Sequence, residues 1–165
     1  MRRTRFLLAA ACFCCAVFAA PDKPDFSGNW KLNNGKSAQD GPADRVYLET
    51  IIQTPKSITV TTKADGVKNL FDGTYSISDK EHIEKQGKAY RYLKVYWETG
   101  TLVFEMSDKD SKKDDAKVLY YVRESWTLSP DGKVLTRFRR VLDGSKDSAG
   151  RASLVDQKYV FDKQP

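Results

Sequence analysis

Glu124, Arg137 and Arg139 fall on matching parity in two neighbouring segments, "ESWTL" and "KVLTRFRR", which are separated by Ser129-Pro130-Asp131-Gly132. Pairing Leu128 with Leu135 across that turn puts Trp126, Leu128 and Leu135 on one inward row, and the same row carries the three charged residues. An ionised group on an inward face is costly unless it is paired or wet. Two readings follow: Glu124 pairs with an arginine across the strands, or a water-filled cavity receives them and an arginine anchors a ligand's acid group by bidentate hydrogen bonds. A slip of one residue would send these charges outward and bring Phe138, Arg140 and Leu142 in.

Other chemistry is sparsely provided. Nucleophilic catalysis with an imidazole base would rest on His82, the one histidine, which sits in the charged stretch "SDKEHIEKQGK" with nothing beside it to nominate it. All three cysteines, Cys12, Cys14 and Cys15, lie near the N-terminus, so thiolate or imidazole ligation of a metal has no ligand set. Asp108-x-Asp110 begins like a calcium loop, but Lys112 and Lys113 occupy the next ligand position and the required glycine position, and Leu119 stands where a bidentate Glu belongs. No Gly-rich phosphate loop exists. No catalytic residue, metal site or cofactor is expected, and the chain reads as a non-enzyme.

Arg2, Arg3 and Arg5 precede an uncharged apolar run that ends at Ala20, and Val17-Phe18-Ala19 supplies a small-x-small cleavage pattern. Residues 1–20 are therefore expected to be a signal peptide, cleaved after Ala19 or Ala20, for a secreted or periplasmic protein. A lipid-anchored variant would instead acylate Cys12 after Ala9-Ala10-Ala11. The run is too short to span a bilayer, so no transmembrane segment is expected in the mature chain. Residues 21–165 form one domain without cysteine, stabilised by its core alone. The net charge of +6 shrinks once the leader's three arginines are removed, leaving 25 basic against 22 acidic residues. Those charges are interleaved rather than gathered, which argues against nucleic-acid binding.

From Val46 onward the chain alternates at period two, is rich in Val, Ile, Thr, Tyr, Phe and Trp, and is punctuated by turn signals. These are Thr54-Pro55-Lys56-Ser57, Ala64-Asp65-Gly66, Thr99-Gly100, Ser129-Pro130-Asp131-Gly132 and Asp143-Gly144-Ser145. Strands are expected at 28–32, 46–53, 58–63, 69–78, 81–86, 89–98, 101–107, 117–128, 133–143 and 151–161, with a helical turn or two within 36–45. A meander of eight to ten antiparallel strands is best closed into a barrel, pairing the first strand around Trp30 with the last around Tyr159. In "GKAYRYLKVYWETGTLVFEM" the Thr99-Gly100 turn sets Trp97 opposite Leu102. Leu93, Val95, Trp97, Leu102, Phe104 and Met106 then face the core. Tyr90, Tyr92, Lys94, Tyr96, Val103 and Glu105 face outward, either as a solvated surface or as an aromatic patch for a protein partner.

"DFSGNWKLN", followed by a meander that ends in "DQKYVFDK", resembles the lipocalin-like, or calycin, proteins. The pattern is similar to the small secreted bacterial domains of that type and to the fatty-acid-binding proteins, whose chains begin with a Phe-x-Gly-x-Trp-Lys-Leu strand. The resemblance implies an up-and-down barrel with Gly28 and Trp30 at its closed end, under an arginine from a late strand: Arg139, Arg140 or Arg151. It also implies a role for Tyr159, although Gln157-Lys158-Tyr159 stands where fatty-acid-binding proteins have Arg-x-Tyr, and no Thr-Asp-Tyr-type segment matches the second lipocalin motif. The expected activity is the holding of a small apolar or amphipathic ligand in the interior. Trp97, Phe104 and Trp126 would line that site, and Glu124, Arg137, Arg139 and Tyr159 would form its polar part. The rival expectation is a solid barrel acting as a protein or envelope interaction module through Tyr90, Tyr92 and Tyr96.

Overall fold

The computed structural model describes residues 23–38, 47–64, 71–113, 115–146 and 152–165. The expected leader, Cys12, residues 65 and 66 of the second turn, and Arg151 lie outside the described residues. Ten strands follow one another: β1 (Gly28–Leu32), β2 (Tyr47–Gln53), β3 (Ser57–Ala64), β4 (Gly73–Ser76), β5 (Ser78–Gln86), β6 (Ala89–Glu98), β7 (Thr101–Lys109), β8 (Val118–Leu128), β9 (Val134–Lys146) and β10 (Ala152–Lys163). All pairings are antiparallel, in the order β4-β3-β2-β1-β10-β9-β8-β7-β6-β5. The result is a ten-stranded up-and-down meander curled into a nearly closed barrel.

The predicted turns at Thr54, Thr99 and Ser129 form as expected. Thr54 N donates to Ser57 O at 2.8 Å, Thr99 takes φ 46° beside Gly100, and Gly132 N donates to Ser129 O at 2.9 Å. Asp143-Gly144-Ser145 is not a turn. Strand β9 runs through it to Lys146, and the register against β10 shifts between Ala152 and Ser153, so the glycine is absorbed in a β-bulge and the chain reverses later. The strand expected over 69–78 is also divided: β4 covers four residues, and at Ile77, whose N–H donates to Lys56 O at 2.8 Å, the chain turns away into β5. A short 3-10 turn, Asn34–Lys36, is capped by the Asn33 side chain, which accepts from Lys36 N at 3.1 Å.

The barrel joins through its first and last strands, with Trp30 opposite Lys163 and Leu32 opposite Phe161. Its remaining discontinuity lies elsewhere, because consecutive strands β4 and β5 are the two ends of the sheet and do not pair with each other. Outward positions carry Arg123, held to Glu98 at 2.6 Å and Glu105 at 3.4 Å, and Arg140, held to Asp156 at 2.8 Å. Such a charged exterior is unlike the apolar band of a lipid-facing barrel. Among the described residues no helix is long and apolar enough to cross a membrane.

Candidate functional site

The end of the barrel around Trp30 is lined with buried side chains. Phe26, Trp30, Ile51, Leu102, Trp126 and Leu135 are buried, each contributing on the order of 1.5–3 kcal/mol of burial free energy. Trp30 donates its indole N–H to Phe26 O at 2.9 Å, and Phe26 meets the ring of Trp126 edge-on at 5.7 Å. The cation over Trp30 is Lys163, 5.3 Å from the ring, where the resemblance implies an arginine. Arg139 and Arg140 are engaged elsewhere. Gly28 has φ +140°, and a Cβ there would come within 2.8 Å of Lys163 Cε, so its bare backbone makes room for that lysine. Trp97 stacks on Phe26 at 6.1 Å and is half-buried. Its open side lines a groove of about 320 Å³ with Lys23, Asp25 and Gln53, at this end of the barrel.

Above this floor lies a layer of paired charges. Glu124 faces Arg139 and Trp126 faces Arg137 in the β8–β9 ladder, so the register placing both arginines inward is the one adopted. Glu124, fully buried, accepts from Arg139 Nε and, at 2.7 Å, from Trp126 Nε1. Arg137 is 1% exposed and reaches past Glu124, 3.8 Å away, to grip Glu49 with both terminal nitrogens. Its guanidinium stacks on Trp126 at 3.8 Å and Phe161 at 4.8 Å. Burial pushes the Glu49 carboxyl up, and the Arg137 charge opposes that push. Burial works against the Arg139 charge, but Glu124 and Tyr159 beside it raise its pKa above the ordinary value.

Glu49 was not among the residues that the sequence nominated. Its parity with Tyr47 and Ile51 in β2 is the signal that points it inward. Arg91 and Asp108 form a second unanticipated pair, opposite each other in the β6–β7 ladder and bonded at 2.8 and 2.9 Å. Both share the parity of the inward-facing Leu93 and Met106.

Toward the other end of the barrel, inward-facing side chains are only partly buried: Tyr47, Tyr120, Tyr159, Val141 and Leu93. Tyr159 accepts from Arg139 Nη1 at 3.4 Å and donates to Gln157 at 2.8 Å, so the arginine beside this tyrosine comes from β9. Phe104 lies deeper, stacked among Trp126 at 4.6 Å and Phe71 at 5.0 Å. Between the unpaired edges of β4 and β5 opens a cavity of about 470 Å³. Core-facing Tyr75, Leu93 and Val95 form its inner wall, and Lys80, Glu81 and the exposed His82 lie on its rim.

The outward tyrosine row is more enclosed than its alternation suggests. Tyr92 is 7% exposed and Val103 fully buried, while Tyr90 and Tyr96 are half-buried. Lys109, Lys112 and Lys94 lie over Tyr92, Tyr90 and Tyr96 at 4.3, 5.2 and 4.5 Å. Long lysine stems cover the rings that an open sheet face would present.

The fold is that of the lipocalin-like and fatty-acid-binding barrels. Solved structures similar to it include one titled "REP1-NXSQ fatty acid transporter", at 12% identity and TM-score 0.54, covering 85% of this chain and 96% of that one. Another is apo lipid binding protein 8 of Caenorhabditis elegans, at 14% identity and TM-score 0.52, covering 84% and 95%. A third is a secretory abundant heat soluble protein of Ramazzottius varieornatus, at 14% identity and TM-score 0.51, covering 84% and 94%. No family model and no curated protein matches the chain.

Proposed function

We propose that this is a secreted lipocalin-like binding protein that holds a small apolar or amphipathic ligand in its barrel. The observation that carries the reading is the cavity of about 470 Å³ at the β4–β5 seam. Its size falls within the roughly 300–1,000 Å³ of small-molecule sites. Its wall is amphipathic: Leu93, Val95 and the Tyr75 ring would take an aliphatic part, while Ser78, His82 and Glu84 would meet a polar or solvated part. Arg139 and Tyr159, further inside, would be its polar contacts, and Phe104 with Trp126 would form the floor beneath it. Trp97, against Phe26, lies below that floor and would support it. The titles of two similar structures, one a fatty acid transporter and one a lipid binding protein, support a ligand of this class. A leader at 1–20 would deliver the domain outside the cytoplasm.

The test is native mass spectrometry of the protein purified gently from its producing cells, compared with its mass after denaturation. An adduct lost on denaturation is expected, on a polypeptide lacking its first 19 or 20 residues. A bare mass, with no thermal stabilisation by a panel of amphiphiles, would refute ligand binding; an intact N-terminus would refute secretion by a cleaved leader.

A further inference from the structure

We infer that the barrel discriminates against anionic head groups and takes an amphiphile whose polar end is uncharged. This inference rests on the ligand-binding reading above and narrows its ligand class. Its basis is the interior charge pattern. Among the described residues, each arginine facing the interior is already bonded to a carboxylate: Arg137 to Glu49, Arg139 to Glu124 and Arg91 to Asp108. Further acids face the same space. Asp72 accepts from the inward-facing Thr62, and Asp143 stands opposite Tyr120 in the ladder. No described inward-facing arginine is therefore left without a carboxylate of its own. An entering fatty-acid carboxylate would have to share a guanidinium with a fixed acid, so that two like charges crowd one cation in a medium of low dielectric. The acid already in place also has its own supports. Trp126 Nε1 holds Glu124 at 2.7 Å, and Arg137 lies 3.8 Å away, so Glu124 is a poor leaving partner for Arg139.

An alcohol, ester or amide end meets no such conflict. The Tyr159 hydroxyl, bonded to Arg139 and Gln157, and the Gln157 amide, with Tyr120 and Tyr47 nearby, are neutral groups on the inward face, and sharing their bonds brings no second charge to the place. Desolvating an uncharged hydroxyl is far less costly than desolvating a carboxylate, and one or two hydrogen bonds offset it.

The experiment is displacement of an uncharged fluorescent amphiphile from the full chain at pH 8 by three competitors of equal chain length: dodecanol, monolauroylglycerol and laurate. The alcohol and the glyceride are expected to bind at least about tenfold more tightly than laurate. Laurate binding as tightly as the alcohol, or more tightly, overturns the inference while leaving ligand binding intact. Failure of all three, and of the fluorophore, overturns ligand binding and this inference with it. Glu124→Gln tests the cause: it leaves Arg139 without its acid, and the ratio of laurate to dodecanol affinity should rise about tenfold. An unaltered ratio removes Glu124 as the discriminating group. Should that variant fail to fold, Asp108→Asn asks the same question at the less buried Arg91, and the wild-type competition stands by itself.

Discussion

Replacing Arg137 with Met should turn a compensated buried pair into a strongly pH-dependent defect. Met covers much of the same ring surface on Trp126 and Phe161, so packing is largely kept. What changes is Glu49, 1% exposed and deprived of both its bonds to the guanidinium. A carboxylate cannot remain ionised there and takes up a proton instead. Without the Arg137 charge, burial acts on the Glu49 carboxyl unopposed and pushes it further above its ordinary range. A raised carboxyl pKa stabilises the fold only below the unfolded value, and stability falls as pH climbs above it. The deficit therefore grows as pH climbs from 5 to 7, and leaving one partner of a buried ion pair alone costs about 3–5 kcal/mol near neutrality. Loss of the stacked cation accounts for roughly 1–2 kcal/mol of this at either pH. Urea unfolding should therefore show Arg137→Met destabilised by about 3–5 kcal/mol at pH 7 and by clearly less at pH 5, with unchanged m-value. The double variant Glu49→Gln with Arg137→Met removes both members of this pair and leaves Glu124 bonded to Arg139, so its stability difference from wild type should vary much less over the same interval than that of Arg137→Met. A loss at pH 7 below about 1 kcal/mol, or an equal loss at both pH values, would refute the reasoning.

Gly28→Ala meets a left-sided φ and a lysine methylene at 2.8 Å, and should cost about 1–3 kcal/mol in urea unfolding; an unchanged midpoint would show that the backbone there relaxes freely. Trp30→Ala opens a cavity at the closed end and removes the bond to Phe26 O, for a loss of about 3–5 kcal/mol. Tyr75 and Tyr121 are each pushed up to about 12, by burial first, and then by Asp72 and Glu105 respectively. Their contribution to stability is present below pH 10 and lost as pH rises from 10 to 12, so Tyr75→Phe and Tyr121→Phe should each remove a late-titrating phenol from an ultraviolet difference titration. Normal titration of both would contradict their placement.

The ladders were legible where alternation and turn chemistry agree. In 89–107 the Thr-Gly turn and the strict parity of Leu93, Val95, Leu102 and Phe104 admit one register, and it is the one formed. At Asp143-Gly144-Ser145 the same turn vocabulary misleads, because a glycine in a long strand serves a bulge as readily as a reversal. Parity likewise tells which way Tyr92 points but not how deeply it lies. The lysine that covers its ring, Lys109, comes from the end of β7, and a side chain's reach is not written in period two.

For the candidate site the limit is of a different kind. Glu124 and Arg139 are cross-strand neighbours in adjacent strands, so a single hairpin register brings them together, and the sequence carries that register. Glu49 and Arg137 are 88 residues apart and meet across the barrel, between strands separated in the sheet by β1 and β10. Parity shows that each points inward; only closure decides that they touch. That difference governs what Arg139 can do. Read by itself, it is an anchor for an acid; set among Glu124, Arg137 and Glu49, it is already neutralised within a layer whose members hold one another in place. A barrel that spends its arginines on its own carboxylates keeps a polar interior without a net positive field. On the ligand-binding reading proposed above, its selectivity would follow from the hydroxyl and amide groups on the inward face.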